Sequence, residues 1–235
     1  MRQATTSMKG ITMKPSNLTF EDLCKIGREE VIKQNSKFAK ERLEVKRKEA
    51  EAKMIGSVGY ASIPPRFAND SFDNYIVVND KAKKALNAVR TYAENFTEHR
   101  KKAGGLIMVG TPGTGKTHLA CATCRMVMAQ GYQALFTTTL AMIQVVKESY
   151  GAGMKTFMEP DLLVIDEIGV QNKTPYELTT LIEILNDRYA QLRPTILLSN
   201  LTAQQMRELL DYRVVSRLSS VSTTIPMNWE DFRAR

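Results

Sequence analysis

Short apolar runs alternate with amphipathic stretches over the last two thirds of the chain. The apolar runs predict buried strands at 106–109, 134–138, 161–166, 195–199 and 221–226. Between them, apolar residues recur at helical spacing, and this predicts helices over 80–100, 118–128, 140–150, 175–191 and 202–210. The segment Gly151-Ala152-Gly153 predicts a mobile loop. Alternating helices and wholly apolar strands indicate an α/β fold, with five parallel strands covered by helices on both faces.

The first 54 residues have a different pattern. Thr19-x-x-Asp22 is a helix start signal, and the stretch from Ser36 to Met54 is charged with only a thin apolar stripe. Such a helical arm cannot form a core by itself, so it either docks on another protein or is solvated. Residues 55–71 contain Pro64-Pro65 and predict a linker, which leaves 72–235 as the α/β domain.

The net charge of the chain is positive, and this bears on the kind of partner it binds. The chain of 235 residues has a formal charge of +8 and a pI near 9.4. Residues 1–54 contain 13 Lys and Arg against 8 Asp and Glu, so the arm holds +5 of that charge. A basic balance favours a polyanionic partner, and nucleic acid is favoured over a membrane.

Cysteine content favours an intracellular, reducing compartment. Cys24, Cys121 and Cys124 cannot make a disulfide framework. Cys121 and Cys124 lie one helical turn apart with no second Cys or His pair to complete a metal site, so we expect them to be packing residues. No apolar run of 18 residues and no signal-peptide pattern occurs, and we expect a cytoplasmic protein without a membrane segment.

The strand at 106–109 runs into a glycine-rich motif that fits G-x-x-x-x-G-K-[ST] at every fixed position. Its residues are Gly110, Thr111, Pro112, Gly113, Thr114, Gly115, Lys116 and Thr117. The glycines let successive N–H groups point inward, and a following helix adds the positive end of its dipole. Lys116 is expected to bind the β- and γ-phosphates and Thr117 to bind Mg²⁺, and His118 is expected to contact the nucleotide together with the loop.

Two carboxylates end the apolar strand at 161–166. Asp166 is expected to hold Mg²⁺ and Glu167 to polarise the attacking water, and alternation along a strand would point them to opposite sides. Asn200, after the strand at 195–199, is either an orienter of that water or an ordinary turn residue. We expect the two loops that grip the triphosphate to follow neighbouring strands of the sheet.

Four further segments make the resemblance to a known family specific. They are Ile63-Pro64-Pro65-Arg66-Phe67, Ser71-Phe72-Asp73-Asn74-Tyr75, Leu163 to Gly169 and Asn228-Trp229-Glu230-Asp231-Phe232-Arg233. The chain order of the phosphate loop, Asp166-Glu167, Asn200 and the Arg213/Arg217 pair resembles the AAA+ ATPases. The four segments resemble, more narrowly, the DnaC-type replicative helicase loaders of bacteria and phages. The resemblance covers roughly residues 60 to 235 and is weak before them.

The resemblance implies roles for single residues. Lys116 and Thr117 match the Walker A motif, Asp166 and Glu167 the Walker B pair, and Asn200 the first sensor. Arg217, supported by Arg213, matches the arginine finger that reaches a neighbouring subunit's nucleotide, and Arg233 matches the second sensor. The family also implies ATP or ADP with Mg²⁺ as cofactors, slow hydrolysis stimulated by assembly or DNA, and no helical lid domain.

The resemblance also implies partners. The arm 1–54 would bind the hexameric replicative helicase, copies of the chain would assemble with ATP, and the ATPase domain would bind single-stranded DNA. Lys147, Tyr150, Lys155 and Phe157 are the candidate DNA contacts, because cations and aromatic rings alternate there. Three alternatives stay open: an IstB-type transposition helper ATPase, a small-molecule P-loop kinase, and a module that captures a helicase without using hydrolysis.

Overall fold

A computed structural model describes residues 62–169 and 174–232 of the chain. The predicted arm 1–54, the first residues of the predicted linker and Arg233 lie outside these ranges. A turn of 3-10 helix spans Pro65–Phe67. The elements that follow are α1 (Asp80–Glu94), α2 (Phe96–Arg100), β1 (Leu106–Val109), α3 (Lys116–Ala129), β2 (Ala134–Thr138), α4 (Thr139–Glu148), α5 (Tyr150–Met158), β3 (Leu162–Ile168), α6 (Pro175–Ala190), β4 (Thr195–Ser199), α7 (Ala203–Leu209), α8 (Tyr212–Val221) and β5 (Thr223–Pro226).

The strands form one parallel sheet in the order β2-β3-β4-β1-β5, which confirms the predicted fold class. Met108 of β1 lies opposite Leu198 of β4 and Ile225 of β5. One expectation was wrong: β1 and β3, which lead to the phosphate loop and to Asp166, are not neighbours. Strand β4 lies between them, because order along the chain does not fix order in the sheet.

Two apolar cores lie on opposite faces of the sheet. Alternate strand residues contribute to each, so that Leu162 and Val164 belong to the first core while Leu163 and Ile165 belong to the second. Residues of α1, α2 and α3 pack on the first face, and residues of α4 to α8 pack on the second. Burial on both faces explains why these strands read as continuous apolar runs.

The predicted loop at Gly151-Ala152-Gly153 was wrong, because these residues belong to helix α5. A Cβ at Gly153 would come within 2.7 Å of the Val145 carbonyl oxygen and of the Val146 Cα. Glycine therefore allows α4 and α5 to approach closely at this point, and that packing outweighs its weak helix propensity. The predicted helix over 80–100 is also divided in two, because Asn95 ends α1 with its side chain bonded to the Thr91 carbonyl.

Arg188 is a fully buried cation at the other end of the sheet from the glycine-rich loop. Its guanidinium donates hydrogen bonds to the Thr195 hydroxyl and to backbone carbonyls before β3 and β4, including those of Phe157, Pro160 and Pro194. Burial lowers the pKa of Arg188 to about 9. Its side chain ties together the segments that lead into two adjacent strands. Within the described ranges, moreover, no helix has the length and apolarity needed to cross a bilayer.

Candidate nucleotide-binding site

The glycine-rich motif forms a tight loop between β1 and α3. Gly110, Gly113 and Gly115 all have positive φ angles, of 145°, 72° and 85°. A side chain at Gly110 would overlap the Met227 carbonyl, and one at Gly115 would press on the Tyr75 ring. Helix α3 begins at Lys116, so its first N–H groups lie at this loop. The loop has the shape and polarity that a phosphate requires.

Lys116 is buried within the loop that it follows. Its ammonium Nζ donates hydrogen bonds to the Gly110 carbonyl at 2.9 Å and the Thr111 carbonyl at 2.7 Å. The side chain is only 7% exposed. The backbone of the glycine-rich loop therefore fixes the position of the Lys116 ammonium.

Thr117 and Asp166 bring the phosphate loop and strand β3 together. The Thr117 hydroxyl donates to the Asp166 carboxylate at 2.8 Å. Asp166 also accepts a bond from the Glu167 backbone N–H at 2.7 Å. Burial raises the pKa of Asp166, and the bond from Thr117 opposes that rise. A hydroxyl and a carboxylate at this distance are oxygen ligands that suit Mg²⁺ beside a phosphate, so the residues fit the predicted ion.

Glu167 lies at a break in the regular strand. Its φ angle is +60°, and the pairing of β3 with β4 shifts register between Ile165 and Ile168. The side chain is exposed, whereas Asp166 is half-buried. Asp166 and Glu167 therefore differ in exposure at a point where the backbone departs from regular strand geometry. The alternation of side chains along a regular strand does not by itself explain the difference. A non-glycine residue in this conformation is typical of functional sites.

Asn200 is exposed directly after β4, the strand between β3 and β1. The Gly110 N–H donates to the Ser199 carbonyl at 3.2 Å, and the Ser199 hydroxyl donates to the Ile168 carbonyl at 2.6 Å. Ser199, the residue before Asn200, thus bonds both to the start of the glycine-rich loop and to the end of β3. Asn200 therefore follows the strand that lies between β1 and β3, an order that the sequence did not predict.

The segment before α1 packs against the phosphate loop, which sequence reasoning missed. The Tyr75 hydroxyl donates to the Thr114 carbonyl at 2.8 Å. His118 contacts the Asp70 carboxylate through Nδ1 at 3.0 Å and the Ser71 carbonyl through Nε2 at 2.8 Å. Residues 70–75 fall partly in the predicted linker, yet they support the start of α3.

The segment after β5 crosses the other side of the same loop. The Thr111 hydroxyl donates to the Trp229 carbonyl at 2.7 Å, and the Phe232 N–H donates to the Gly113 carbonyl at 3.1 Å. The Asp231 carboxylate covers Gly113 so closely that a side chain there would overlap it. A cavity of about 120 Å³ lies between this segment and residues 74–78. Its walls are Asn74, Tyr75, Ile76, Val78, Gly113, Thr114, Gly115, His118, Trp229 and Phe232.

Arg217 lies on helix α8, and the contacts of its guanidinium are with α6. It donates to the Asn186 amide oxygen at 2.7 Å and lies 5.9 Å from the centre of the Tyr189 ring. Arg213, one turn earlier, is also exposed. An exposed arginine held by a neighbouring helix is available to a second molecule.

Comparison with known proteins extends these observations. Residues 38–233 match the family model described as IstB-like ATP binding protein. Over 219 residues the chain is 32% identical to the replicative helicase loader DnaC of Escherichia coli strain K12, and the match covers 90% of this chain and 88% of that protein. This chain belongs to the DnaC/IstB-like family of ATP-binding proteins.

Two further matches agree with this membership. DnaC of Buchnera aphidicola subsp. Acyrthosiphon pisum is 34% identical over 191 residues, covering 77% of this chain and 76% of that protein. A crystal structure of the DnaC helicase loader has a TM-score of 0.64 and 27% identity, covering 70% of this chain and 99% of that one. Membership of this ATP-binding family implies that the chain binds nucleotide. The role of each site residue stays a prediction.

The candidate DNA contacts of this DnaC/IstB-like chain divide into two groups. Lys147, Tyr150 and Lys155 are exposed, whereas Phe157 is 3% exposed within the second core. Phe157 was therefore a wrong choice for base stacking, because its ring packs inside the protein. Tyr176, which sequence reasoning did not single out, is 40% exposed, and its ring centre lies 5.6 Å from the Lys147 ammonium.

Cys121 and Cys124 are buried on α3, as predicted for packing residues. Burial raises the pKa of both thiols, that of Cys124 to about 12. Within the described residues, no group of three or more His, Cys, Asp and Glu side chains could hold a metal ion. Both cysteine side chains pack in the first core, together with residues of the strands.

Proposed function

We propose that this protein is an ATP-dependent loader of the replicative DNA helicase, which it delivers onto single-stranded DNA at the initiation of replication. One observation supports this most strongly. The match to the helicase loader DnaC covers 90% of this chain, so it extends well into the first 61 residues. A shared ATPase core alone would not require similarity in that region.

The loop and β3 would perform the ATPase chemistry. Lys116 would bind the β- and γ-phosphates. Thr117 and Asp166 would hold Mg²⁺, which would supply positive charge beside the phosphates. Glu167 accepts a proton from the attacking water, and Asn200 orients that water. The contact of Thr117 with Asp166 supports this assignment, because it joins the two motifs at one point.

The cavity beside the loop would bind the adenine base of ATP or ADP. Aromatic rings of Tyr75, His118, Trp229 and Phe232 line it, and a planar base can stack on such rings. Its floor is the phosphate loop itself, at Gly113 to Gly115. A nucleotide in this cavity would touch the segments before α1 and after β5 together.

Arg217 would complete the site of a neighbouring copy. The guanidinium is exposed and bonded to α6, which supports a role toward another subunit. An arginine supplied in this way raises hydrolysis by roughly 10³- to 10⁵-fold in related systems. ATP would thus assemble copies of the chain on the helicase, and slow hydrolysis, stimulated by assembly or DNA, would end that state.

The basic arm 1–54 would bind the helicase, and the surface of α4 to α6 would bind single-stranded DNA. Tyr150 is 54% exposed and Tyr176 40% exposed, with Lys147 beside Tyr176. Two aromatic rings with a cation are suited to base stacking and backbone contact. We propose residues 72–235 as the ATPase domain and the cytoplasm as its location.

An IstB-type transposition helper is the second candidate, because the matching family model is the IstB-like one. The partner of residues 1–54 separates the two functions. Size-exclusion chromatography of the full chain with a hexameric replicative helicase, with and without ATP, tests the loader. We expect co-elution that depends on the arm. Failure to co-elute, together with capture of a transposase, would contradict the loader function.

A further inference from the structure

The exposed Arg217 is held in place by two residues of the neighbouring helix. The Asn186 amide oxygen accepts its hydrogen bond at 2.7 Å, and the Tyr189 ring lies 5.9 Å from its guanidinium carbon. Asn186 and Tyr189 are three residues apart on α6, so they share one face of that helix. Val214 and Leu218, on either side of Arg217, are buried and fix α8 against the second core.

Arg213 provides the contrast on the same helix. Its side chain is exposed, and no hydrogen bond or ion pair joins it to the part of the chain that the structure describes. An arginine loses considerable rotamer freedom when it binds an anion, and prior contacts reduce that cost. Of the two arginines, Arg217 is therefore the one whose direction is already set.

The chemical nature of the acceptor matters as much as its distance. A carboxylate at position 186 would pair with the guanidinium and neutralise it, whereas the Asn186 amide binds one N–H and leaves the positive charge intact. The remaining N–H groups of the guanidinium stay available to an anion. A neutral acceptor is thus suited to an arginine whose charge is used elsewhere.

We infer that Asn186 and Tyr189 are positioning residues that direct the Arg217 guanidinium toward the γ-phosphate bound by a neighbouring subunit. This inference rests on the proposed function, because it requires Arg217 to act between subunits. Asn186 fixes the direction of the side chain, and the Tyr189 ring supports the guanidinium without removing its charge. Both residues act on the neighbouring site and leave their own phosphate loop unchanged.

The test measures ATP hydrolysis by the full chain at saturating protein concentration, and nucleotide affinity at low concentration. Asn186→Ala should lower assembly-stimulated hydrolysis about tenfold or more, consistent with loss of one charge-assisted hydrogen bond. Nucleotide affinity should be unchanged. Tyr189→Leu should lower hydrolysis about twofold to fivefold, and Tyr189→Phe, which keeps the ring, should retain the wild-type rate.

Asn186→Asp separates positioning from a merely structural bond. A structural role would be preserved or strengthened by the carboxylate, since it still accepts from Arg217 and adds an ion pair. We expect instead a loss of hydrolysis at least as large as that of Asn186→Ala. Wild-type hydrolysis in Asn186→Asp would overturn the inference.

A mixing experiment tests whether the effect acts between subunits. Lys116→Ala subunits should not hydrolyse ATP themselves but keep Arg217 and Asn186, so they can serve the intact loop of an Asn186→Ala subunit. Mixing the two impaired variants should raise hydrolysis above the sum of their separate rates, and no increase would contradict action on a neighbouring site.

Arg217→Ala distinguishes failure of this inference from failure of the proposed function. If Arg217→Ala retains wild-type hydrolysis, the arginine is not needed and both the inference and that part of the proposed function are wrong. If Arg217→Ala loses hydrolysis while all Asn186 and Tyr189 variants keep it, only the inference is wrong.

Discussion

The Thr117 hydroxyl donates a hydrogen bond to the Asp166 carboxylate across 2.8 Å. The two residues are separated by 49 positions in sequence, and the fold brings them together at the carboxyl ends of the strands. This contact joins the phosphate loop to β3. It shows which two oxygen donors are close enough to serve one ion.

Removing the Thr117 hydroxyl should therefore impair magnesium-dependent chemistry. We expect Thr117→Ala to lower ATP hydrolysis by about tenfold or more, because loss of one metal ligand weakens charge stabilisation. Nucleotide affinity measured in EDTA should be nearly unchanged, since Lys116 and the loop remain. Thr117→Ser keeps a hydroxyl and is the control. Equal magnesium-dependent rates for the alanine variant and the wild type would exclude Thr117 as a ligand.

The Tyr75 side chain should contribute to nucleotide affinity from outside the motif. Tyr75→Phe removes the bond to the Thr114 carbonyl and should weaken ATP binding about threefold to tenfold. Tyr75→Ala should weaken it further, because the ring also packs beside Gly115 and lines the cavity. Isothermal titration calorimetry measures both. Tyr132→Phe, which loses an exposed bond to Thr97, is the control and should bind normally.

Tyr150 should take part in binding single-stranded DNA. Loss of one stacking ring typically costs about 1–3 kcal/mol, so Tyr150→Ala should weaken binding of an oligonucleotide roughly fivefold or more. Tyr150→Phe loses only the hydrogen bond to Glu183 and should bind nearly as well. Fluorescence anisotropy at several salt concentrations provides the measurement. A salt-independent affinity would argue against contacts with phosphates.

Arg188 should be required for stability rather than for chemistry. Replacing it with Met leaves several buried carbonyls without a donor, so we expect a loss of about 3 kcal/mol or more in the free energy of unfolding. Urea denaturation followed by circular dichroism measures it. Lys101→Ala breaks an exposed pair with Glu98 and, as the control, should leave the unfolding midpoint nearly unchanged. Similar midpoints for the two variants would show that Arg188 is dispensable.

The two described cysteines should be chemically inert in the folded protein. Burial raises the pKa of Cys124 to about 12 and also raises the pKa of Cys121, so neither thiol is ionised near neutral pH. In a Cys24→Ser variant, a thiol reagent at pH 8 should label no cysteine until denaturant is added, and then two. Rapid labelling without denaturant would contradict this prediction and would be consistent with a redox role for the two cysteines.

The sequence predicted most of the features that depend on local pattern. A few consecutive residues are enough to identify each of them: the wholly apolar strands, the glycine-rich motif, and the carboxylates at Asp166 and Glu167. The structure also explains the errors. Gly153 lies in a helix because its neighbour approaches too closely for a side chain, and Phe157 is buried because helix α5 turns that face inward.

The missed parts of the site depend on residues distant in sequence. Tyr75 reaches Thr114, and Trp229 accepts a bond from Thr111, but neither pairing leaves a periodic signal. The strand order was missed for the same reason, because no local sequence pattern indicates that β4 lies between β1 and β3. Asn186 also carries no signal, because a single polar residue on an amphipathic helix is indistinguishable from ordinary solvent exposure.

The contacts of His118 with Asp70 and Ser71 determine where the chain can be cut. A fragment that begins at Phe72, the boundary suggested by composition, would lack both partners of that histidine and the Pro65–Phe67 turn. We expect such a fragment to bind nucleotide more weakly than the full chain. Its measured affinity would then not be that of the full chain. Fragments for crystallisation or binding assays should instead begin before Ile63, which packs against the first core.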